Sequence, residues 1–471
     1  MTGGAVPATL VAAAQAIAVG ELSSVELTRR CLAAAQRLNA ALNCFVRIED
    51  AAALEAAARA DAVRATGAAL GPLHGVPLAT KDMFYDPARE TSSGSRVRQG
   101  FRAAARATVL ARLAAAGAVD LGSLSMTEFA LGPTGHNAFH GACRNPWNPA
   151  HIAGGSSGGA GAAVAARIVF AALGSDTGGS IRLPATVNGV LGLKPTYGRV
   201  SRAGAMPLSW SLDHVGPLAR TAGDLARVLG VIAGRDPLDA SSSARAVPRY
   251  EALLGRGIEG LVIGVPRNFY AADVAAAVAT VLDRARAALA GLGARLVEVD
   301  VPEPGLLTEL GRAIVYSEAA AVHGHWLRTR AADYSPQVRA RAATGIAIPA
   351  ATYLEALQLR PRLLAAFVDS VYGACDVLAT PSLGIEVPTL ADTDVGATEA
   401  MWETIGRLCQ YTAPFNYLGL PALSLPVGFS RGRLPVGLQL VGRPFAEARL
   451  LAVAAAYQTV TDWHQREPLA A

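Results

Sequence analysis

Lysine is nearly missing from this chain. Of 42 cationic residues only Lys81 and Lys194 are lysine, and the other 40 are arginine. Arginine cannot be deprotonated in a protein, whereas a buried lysine can release its proton. The two lysines are therefore candidate positions for a neutral or compact amine, with chance retention as the alternative. Charge of any sign is sparse at 17% of residues, and the net +5 is spread without basic runs. No basic stripe carries interleaved aromatics, which speaks against a nucleic-acid partner. Cysteines are few and odd in number: Cys31, Cys44, Cys143, Cys375 and Cys409 lack CxxC spacing. That pattern fits reduced thiols in a cytoplasmic protein. Long apolar runs are absent too. The longest uncharged stretches, 145–166 and 408–430, are broken by proline and glycine, so no membrane span is expected. The apolar segment 5–20 has no basic stretch before it and reads as a helix, not a signal peptide.

What remains is apolar. Hydrophobic residues make up 52% of the 471, enough for a sizeable core and too many for a disordered chain. Ser23-Ser24-Val25-Glu26 fits a capping box before an amphipathic run over 27–38. A second, alanine-rich helix is expected over 51–66, and a third over 108–116, closed by Gly117. Short apolar runs at 118–122, 168–173, 376–379 and 422–426 read as strands. Segment 261–266, a helix near 272–292, and 295–301 form a βαβ unit. The coarse expectation is an α/β fold with one large sheet covered by helices on both faces. It forms a single domain with N-terminal helices over 1–66, a catalytic core over about 67–230, and a pocket-forming second half over about 260–471.

Two serine-bearing glycine loops dominate the sequence. The first is Gly154-Gly155-Ser156-Ser157-Gly158-Gly159, the second Asp176-Thr177-Gly178-Gly179-Ser180-Ile181-Arg182. A helix and a strand lie between them, so both can sit at one end of a sheet. Acyl transfer to serine needs a base within hydrogen-bond reach and preorganised donors for the oxyanion. Thr177, Gly178, Gly179 and Ser180 present four consecutive N–H groups suited to that second task. Among the histidines only His214 has an acid beside it, Asp213, and adjacent residues seldom face one another. Lys81 is the better base, provided burial lowers its pKa from about 10.4. The apolar approach Val76 to Ala79 favours burial, whereas Asp82 would oppose the shift if it faced the amine.

These segments resemble the amidase signature family. The matches run from Gly75-Val76-Pro77 with Lys81-Asp82, through Arg144-Asn145-Pro146-Trp147 and both glycine loops, to Gly192-Leu193-Lys194-Pro195. Weaker ones, including Pro414-Phe415-Asn416 and Gly437-Leu438-Gln439, extend nearly to the end. The resemblance implies a Ser–cisSer–Lys triad. In it Ser180 is the nucleophile, Ser156 the bridging serine on a cis peptide bond, and Lys81 the base. Backbone N–H groups of Thr177 to Ser180 form the oxyanion hole, and Ser157, Asp176 and Arg182 brace the loops. Lys194 is structural. No metal and no cofactor is implied, and a homodimer is the assembly common in the family. Met126 and Phe129 are candidates for the acyl pocket, with core packing as the alternative. Segments 384–398 and 303–352 are expected to contribute the rest of the pocket.

Competing readings are weaker. Gly154-Gly155-Ser156-Ser157-Gly158 also fits the G-x-S-x-G nucleophile elbow, but no strand directly precedes it. Neither loop is a complete phosphate cradle. His323-Gly324-His325, and His136 with His140, lack the further ligands of a metal site. Cys143 has no paired base. Three functions stay open. The first is an amidohydrolase cleaving the C–N bond of small amides or carbamates, and esters as well. The second is the glutaminase component of a tRNA-dependent amidotransferase. The third is a catalytically silent binding scaffold. The amidotransferase component carries an aspartate before its Thr-x-Pro element to hold the glutamine amino group. Alignment on Thr412 and Pro414 places Cys409 there. The stretch 334–341 likewise resembles the free-standing amidases.

Overall fold

A computed structural model describes residues 7–468. Its frame is one mixed sheet of eleven strands. In chain order these are β1 (Phe45–Ile48), β2 (Pro77–Lys81), β3 (Val119–Leu124), β4 (Ala171–Asp176), β5 (Leu191–Lys194), β6 (His214–Ala219), β7 (Val262–Pro266), β8 (Arg295–Val299), β9 (Val377–Pro381), β10 (Ala422–Phe429) and β11 (Pro435–Gly442). The spatial order is β1-β3-β2-β4-β6-β5-β10-β11-β9-β7-β8, so strands from both halves of the chain share one sheet. β2, β4, β5, β6, β9 and β11 are buried along their whole length. Strands covered on both faces read as apolar or small-residue runs without alternation.

The local signals place the elements well and their ends less well. Ser23 accepts the Glu26 N–H at the start of the helix Ser24–Leu42, and the expected βαβ unit is the parallel pair β7–β8 with the helix Ala276–Gly291 between. The run expected as a strand over 168–173 is shifted: β4 starts at Ala171 and continues through Gly174, Ser175 and Asp176. Those three residues read as loop because glycine and polar residues are poor strand formers. Here they pair with Gly216, Val215 and His214 on β6. Five strands, β1, β2, β5, β6 and β11, lack a clear signature because they are short or interrupted by glycine and proline. Of the segment 5–20, the structure shows a helix over Leu10–Val19, and residues 5 and 6 lie outside the described residues.

The sheet positions the site in one respect above all. β2 pairs in parallel with both β3 and β4. In an open α/β sheet the carboxyl ends of parallel strands are where ligands bind. Lys81 ends β2, and β4 runs directly into the loop that carries Ser180. The helix Gly158–Ala165, built only of glycine, alanine and valine, is wholly buried. It joins the Ser156 loop to β4, so both serine loops open at the same end of the sheet. Among the described residues no helix is long and apolar enough to cross a membrane.

Candidate active site

Lys81 is 1% exposed. Its Nζ lies 2.7 Å from Ser156 Oγ and 2.9 Å from Ser175 Oγ, and it has no other hydrogen-bond partner among the described residues. Burial lowers its pKa to about 7, against the pull of the Asp213 and Asp176 carboxylates. Asp82 does not face the amine. It accepts hydrogen bonds from the backbone N–H and hydroxyl of Ser92, on the far side of the strand end.

Ser156 is fully buried, and the Gly155–Ser156 peptide is cis. Gly155 is required on packing grounds, since a Cβ there would meet Gly132 O at 2.4 Å and Thr127 Oγ1 at 2.8 Å. Segment 145–153 before the loop is irregular, so the strand that a nucleophile elbow requires is not there. Ser157 ties the two loops together. Its N–H donates to Ser180 O at 3.2 Å, and its hydroxyl donates to Ser175 O at 3.2 Å while accepting from Ser175 N.

Asp176 and Arg182 form a wholly buried ion pair with two parallel contacts, Nη2 to Oδ1 at 2.8 Å and Nε to Oδ2 at 3.0 Å. The guanidinium also donates to Thr412 O, Gln439 Oε1 and Asn416 Oδ1. Burial disfavours the Asp176 carboxylate, but Arg182 outweighs it and holds the group well below the usual range. A buried pair survives only when its remaining valences are filled in this way.

Asp176 also takes the N–H of Gly179 at 2.8 Å and of Ile181 at 3.1 Å. Of the four amides expected to face an oxyanion, Gly179 is therefore engaged inside the protein. No acceptor is found among the described residues for the N–H groups of Thr177, Gly178 and Ser180. The loop is clamped from outside as well. Thr412 Oγ1 donates to Gly178 O at 2.6 Å, and Thr177 Oγ1 donates to Asp213 Oδ1 at 2.5 Å. Gly179 has φ +135°, and a Cβ would meet Thr412 Oγ1 at 2.4 Å, so only glycine fits.

Ser180 is half-buried and lines a pocket together with Thr177, Gly178 and residues 130–133. The hydroxyl makes no hydrogen bond to another described residue; contacts at such a site commonly tighten only when substrate binds. The far wall comes from Thr308 to Tyr316 on the helix Pro304–Thr329, from Arg341, and from Ile405 to Ala413. Segment 303–352 thus supplies part of this wall, whereas 384–398 does not. Met126 and Phe129 do not line it either. Both are buried in the core, where Phe129 packs against His323, Trp326 and Tyr334, and the next residues, Ala130 to Pro133, form the wall.

Arg341 is the residue that the sequence does not single out. It is 7% exposed and lines the pocket, yet its Nε and Nη1 have no hydrogen-bond partner among the described residues, and only Nη2 reaches the Tyr316 hydroxyl at 3.4 Å. No aspartate or glutamate is among the lining residues, while Arg312 adds a second cation. Cys409 lies on the same wall, its thiol pushed up to about 11 by burial.

The other candidates fall away. His214 and Asp213 do not face one another: Nδ1 of His214 bonds Leu212 O, and Asp213 holds Thr177 and the 208–209 backbone. His323 is buried against aromatics, and no metal-holding cluster occurs among the described residues. Burial raises the Cys143 thiol well above its ordinary value, which makes it inert. Lys194 is also fully buried, and its amine donates to Pro195 O and Leu420 O, joining the ends of β5 and β10.

A family model described as Amidase matches residues 26–451, and the chain belongs to the amidase family. It is 42% identical to a glutamyl-tRNA(Gln) amidotransferase subunit from Chloroflexus aggregans, covering 98% of each chain. Among solved structures it is similar to a chain of a vestigial protein complex described as revealing the evolutionary origins of an s-triazine catabolic enzyme. There the TM-score is 0.89 at 34% identity, over 96% of this chain and 98% of that one. It is also similar to a peptide amidase solved with chymostatin, with TM-score 0.85 and 32% identity over 98% of both chains. The name of the first relative speaks of a tRNA and of a multi-component enzyme, which runs against the expectation of no nucleic-acid partner.

Proposed function

We propose that the chain hydrolyses the C–N bond of small amides whose acyl side carries a carboxylate, through an acyl-enzyme on Ser180. The observation that carries this reading is the buried Lys81 amine, lowered to about 7 and 2.7 Å from Ser156 Oγ, on a loop that Ser157 ties to the Ser180 loop lining the pocket. Lys81 takes the Ser156 proton as Ser156 takes that of Ser180. Ser180 Oγ bonds to the carbonyl carbon, and the oxyanion meets the N–H groups of Thr177, Gly178 and Ser180. The proton returns through Ser156 to the leaving nitrogen and the C–N bond breaks. Water then attacks the ester by the same relay and releases the acid. Carbamates and esters of similar shape follow the same path.

Arg341 supplies the substrate class. A buried guanidinium with two unsatisfied donors calls for an anion, and the lining offers none. Arg341→Met is expected to raise KM for a carboxylate-bearing amide by about 10- to 100-fold, the worth of a charged hydrogen bond. KM for a neutral amide of equal length should stay within about threefold. Equal losses on both substrates would remove Arg341 from recognition.

A second reading is favoured by the 42% identity noted above: the chain is the glutaminase part of a tRNA-dependent amidotransferase. Glutamine is itself a carboxylate-bearing amide, so the two readings share the relay and Arg341. They differ over the α-ammonium, for which the lining offers Cys409 and no acid. A buried unpaired ammonium is costly. Glutaramate, which is glutamine without its amino group, is therefore expected to exceed glutamine in kcat/KM by at least about tenfold. The reverse order, or glutaminase activity appearing only with partner proteins and tRNA, would favour the second reading.

A further inference from the structure

The direction of the lone pair on Lys81 has to be set by something. A protonated amine has three N–H donors and no acceptor, whereas a neutral one keeps two N–H bonds and a single lone pair. To act as a base toward Ser156, the neutral amine must point that lone pair at the Ser156 hydroxyl. Its two N–H bonds must then point elsewhere. Ser175 Oγ, at 2.9 Å, is the one other hydrogen-bond partner of Nζ among the described residues. Were Ser175 to donate its proton to the lone pair, the amine would be turned away from Ser156 and the relay would stall.

We infer that Ser175 is a positioning residue, whose hydroxyl accepts an amine N–H and so holds the lone pair of Lys81 toward Ser156. Three features support this. Ser175 is rigid: it sits within β4, paired with Val215, and its backbone is gripped on both sides by Ser157 Oγ. It is 2% exposed, so bulk water does not compete for the amine. It also lines a second cavity, behind the lysine and distinct from the Ser180 pocket, with Arg202, Trp210 and Asp213 on its walls. That cavity gives the Ser175 hydroxyl proton a direction away from Lys81, since no described residue accepts it. The charged groups facing Lys81 are Asp213 and Asp176, and neither contacts the Ser175 side chain.

The inference rests on Lys81 being the base. The test is kcat and KM as a function of pH for three variants. Ser175→Ala is expected to lower kcat by about 10- to 100-fold with KM within about threefold. It should also move the acid limb of the profile to lower pH, because the ammonium form loses an acceptor. Ser175→Cys, which keeps the volume but accepts poorly, should behave like the alanine variant even if that one fails to fold. Ser175→Thr keeps the hydroxyl, and it should restore both kcat and the limb. An unchanged kcat and limb in Ser175→Ala or Ser175→Cys would overturn the inference, as would a threonine variant no better than cysteine. Those outcomes leave activity dependent on Lys81, whereas failure of the base assignment would show as activity surviving Lys81 replacement.

Discussion

Lys81→Met is expected to lower kcat by roughly 10³- to 10⁴-fold, because it removes the group that accepts the serine proton. Lys81→Arg should lose as much. The substitution keeps the positive charge that the rest of the chain supplies with arginine, but a guanidinium cannot shed its proton near neutral pH. The same logic fixes the pH dependence of the unaltered protein. Only the neutral amine is a base, and burial places its pKa at about 7. Activity should therefore be low below about pH 6, rise through about pH 7 and level off above about pH 8. A profile of kcat/KM against pH on the unaltered protein checks this. A flat profile from about pH 5 to about pH 8, or an arginine variant with near-normal activity, would mean that Lys81 serves only as a charge.

Ser180→Ala is expected to have the largest effect, a fall in kcat of roughly 10⁴- to 10⁶-fold, as when the nucleophile of a coupled triad is removed. Binding should survive, because Arg341 lies on the opposite wall and is untouched. Isothermal titration of the alanine variant with glutaramate should give a Kd within a few-fold of the KM of the unaltered protein, provided KM reflects binding. Loss of binding along with turnover would point to a collapsed loop. That loop is held at both ends, by Asp176 with Arg182 and by Thr412 on Gly178, so local damage from one missing hydroxyl is not expected.

The two glycine loops and the scarce lysine were legible because each breaks a local rule: glycine runs before helices, and lysine in an arginine background. Position in the sheet could be argued from the helix and strand between the loops, and Lys81, Ser156 and Ser180 do lie at one end of the sheet. Lysine scarcity alone was not decisive. Lys194 is retained as well, and its amine has a bonding role of its own, donating to the backbone carbonyls of Pro195 and Leu420.

What stayed hidden depends on distance along the chain. Ser175 reads as loop, and its contact with Lys81 spans 94 residues of sequence. Arg341 looks like any other arginine until its burial, and two donors without a partner among the described residues, set it apart. Asn416, Gln439 and Thr412 lie more than 200 residues from the ion pair and loop they brace. Met126 and Phe129 went the other way: large apolar residues near a catalytic loop suit a pocket wall and a core equally, and only packing decides between them.

The central claim is that a covalent acyl group forms on Ser180. The most direct measurement is the mass of the intact protein after brief mixing with an activated aryl ester of glutaric acid, followed by acid quench and peptide mapping. The account predicts one added glutaryl group, located at Ser180, accumulating in the unaltered protein and absent from Ser180→Ala. An adduct on any other residue, or turnover of the ester with no adduct at Ser180 under any quench condition, would contradict it.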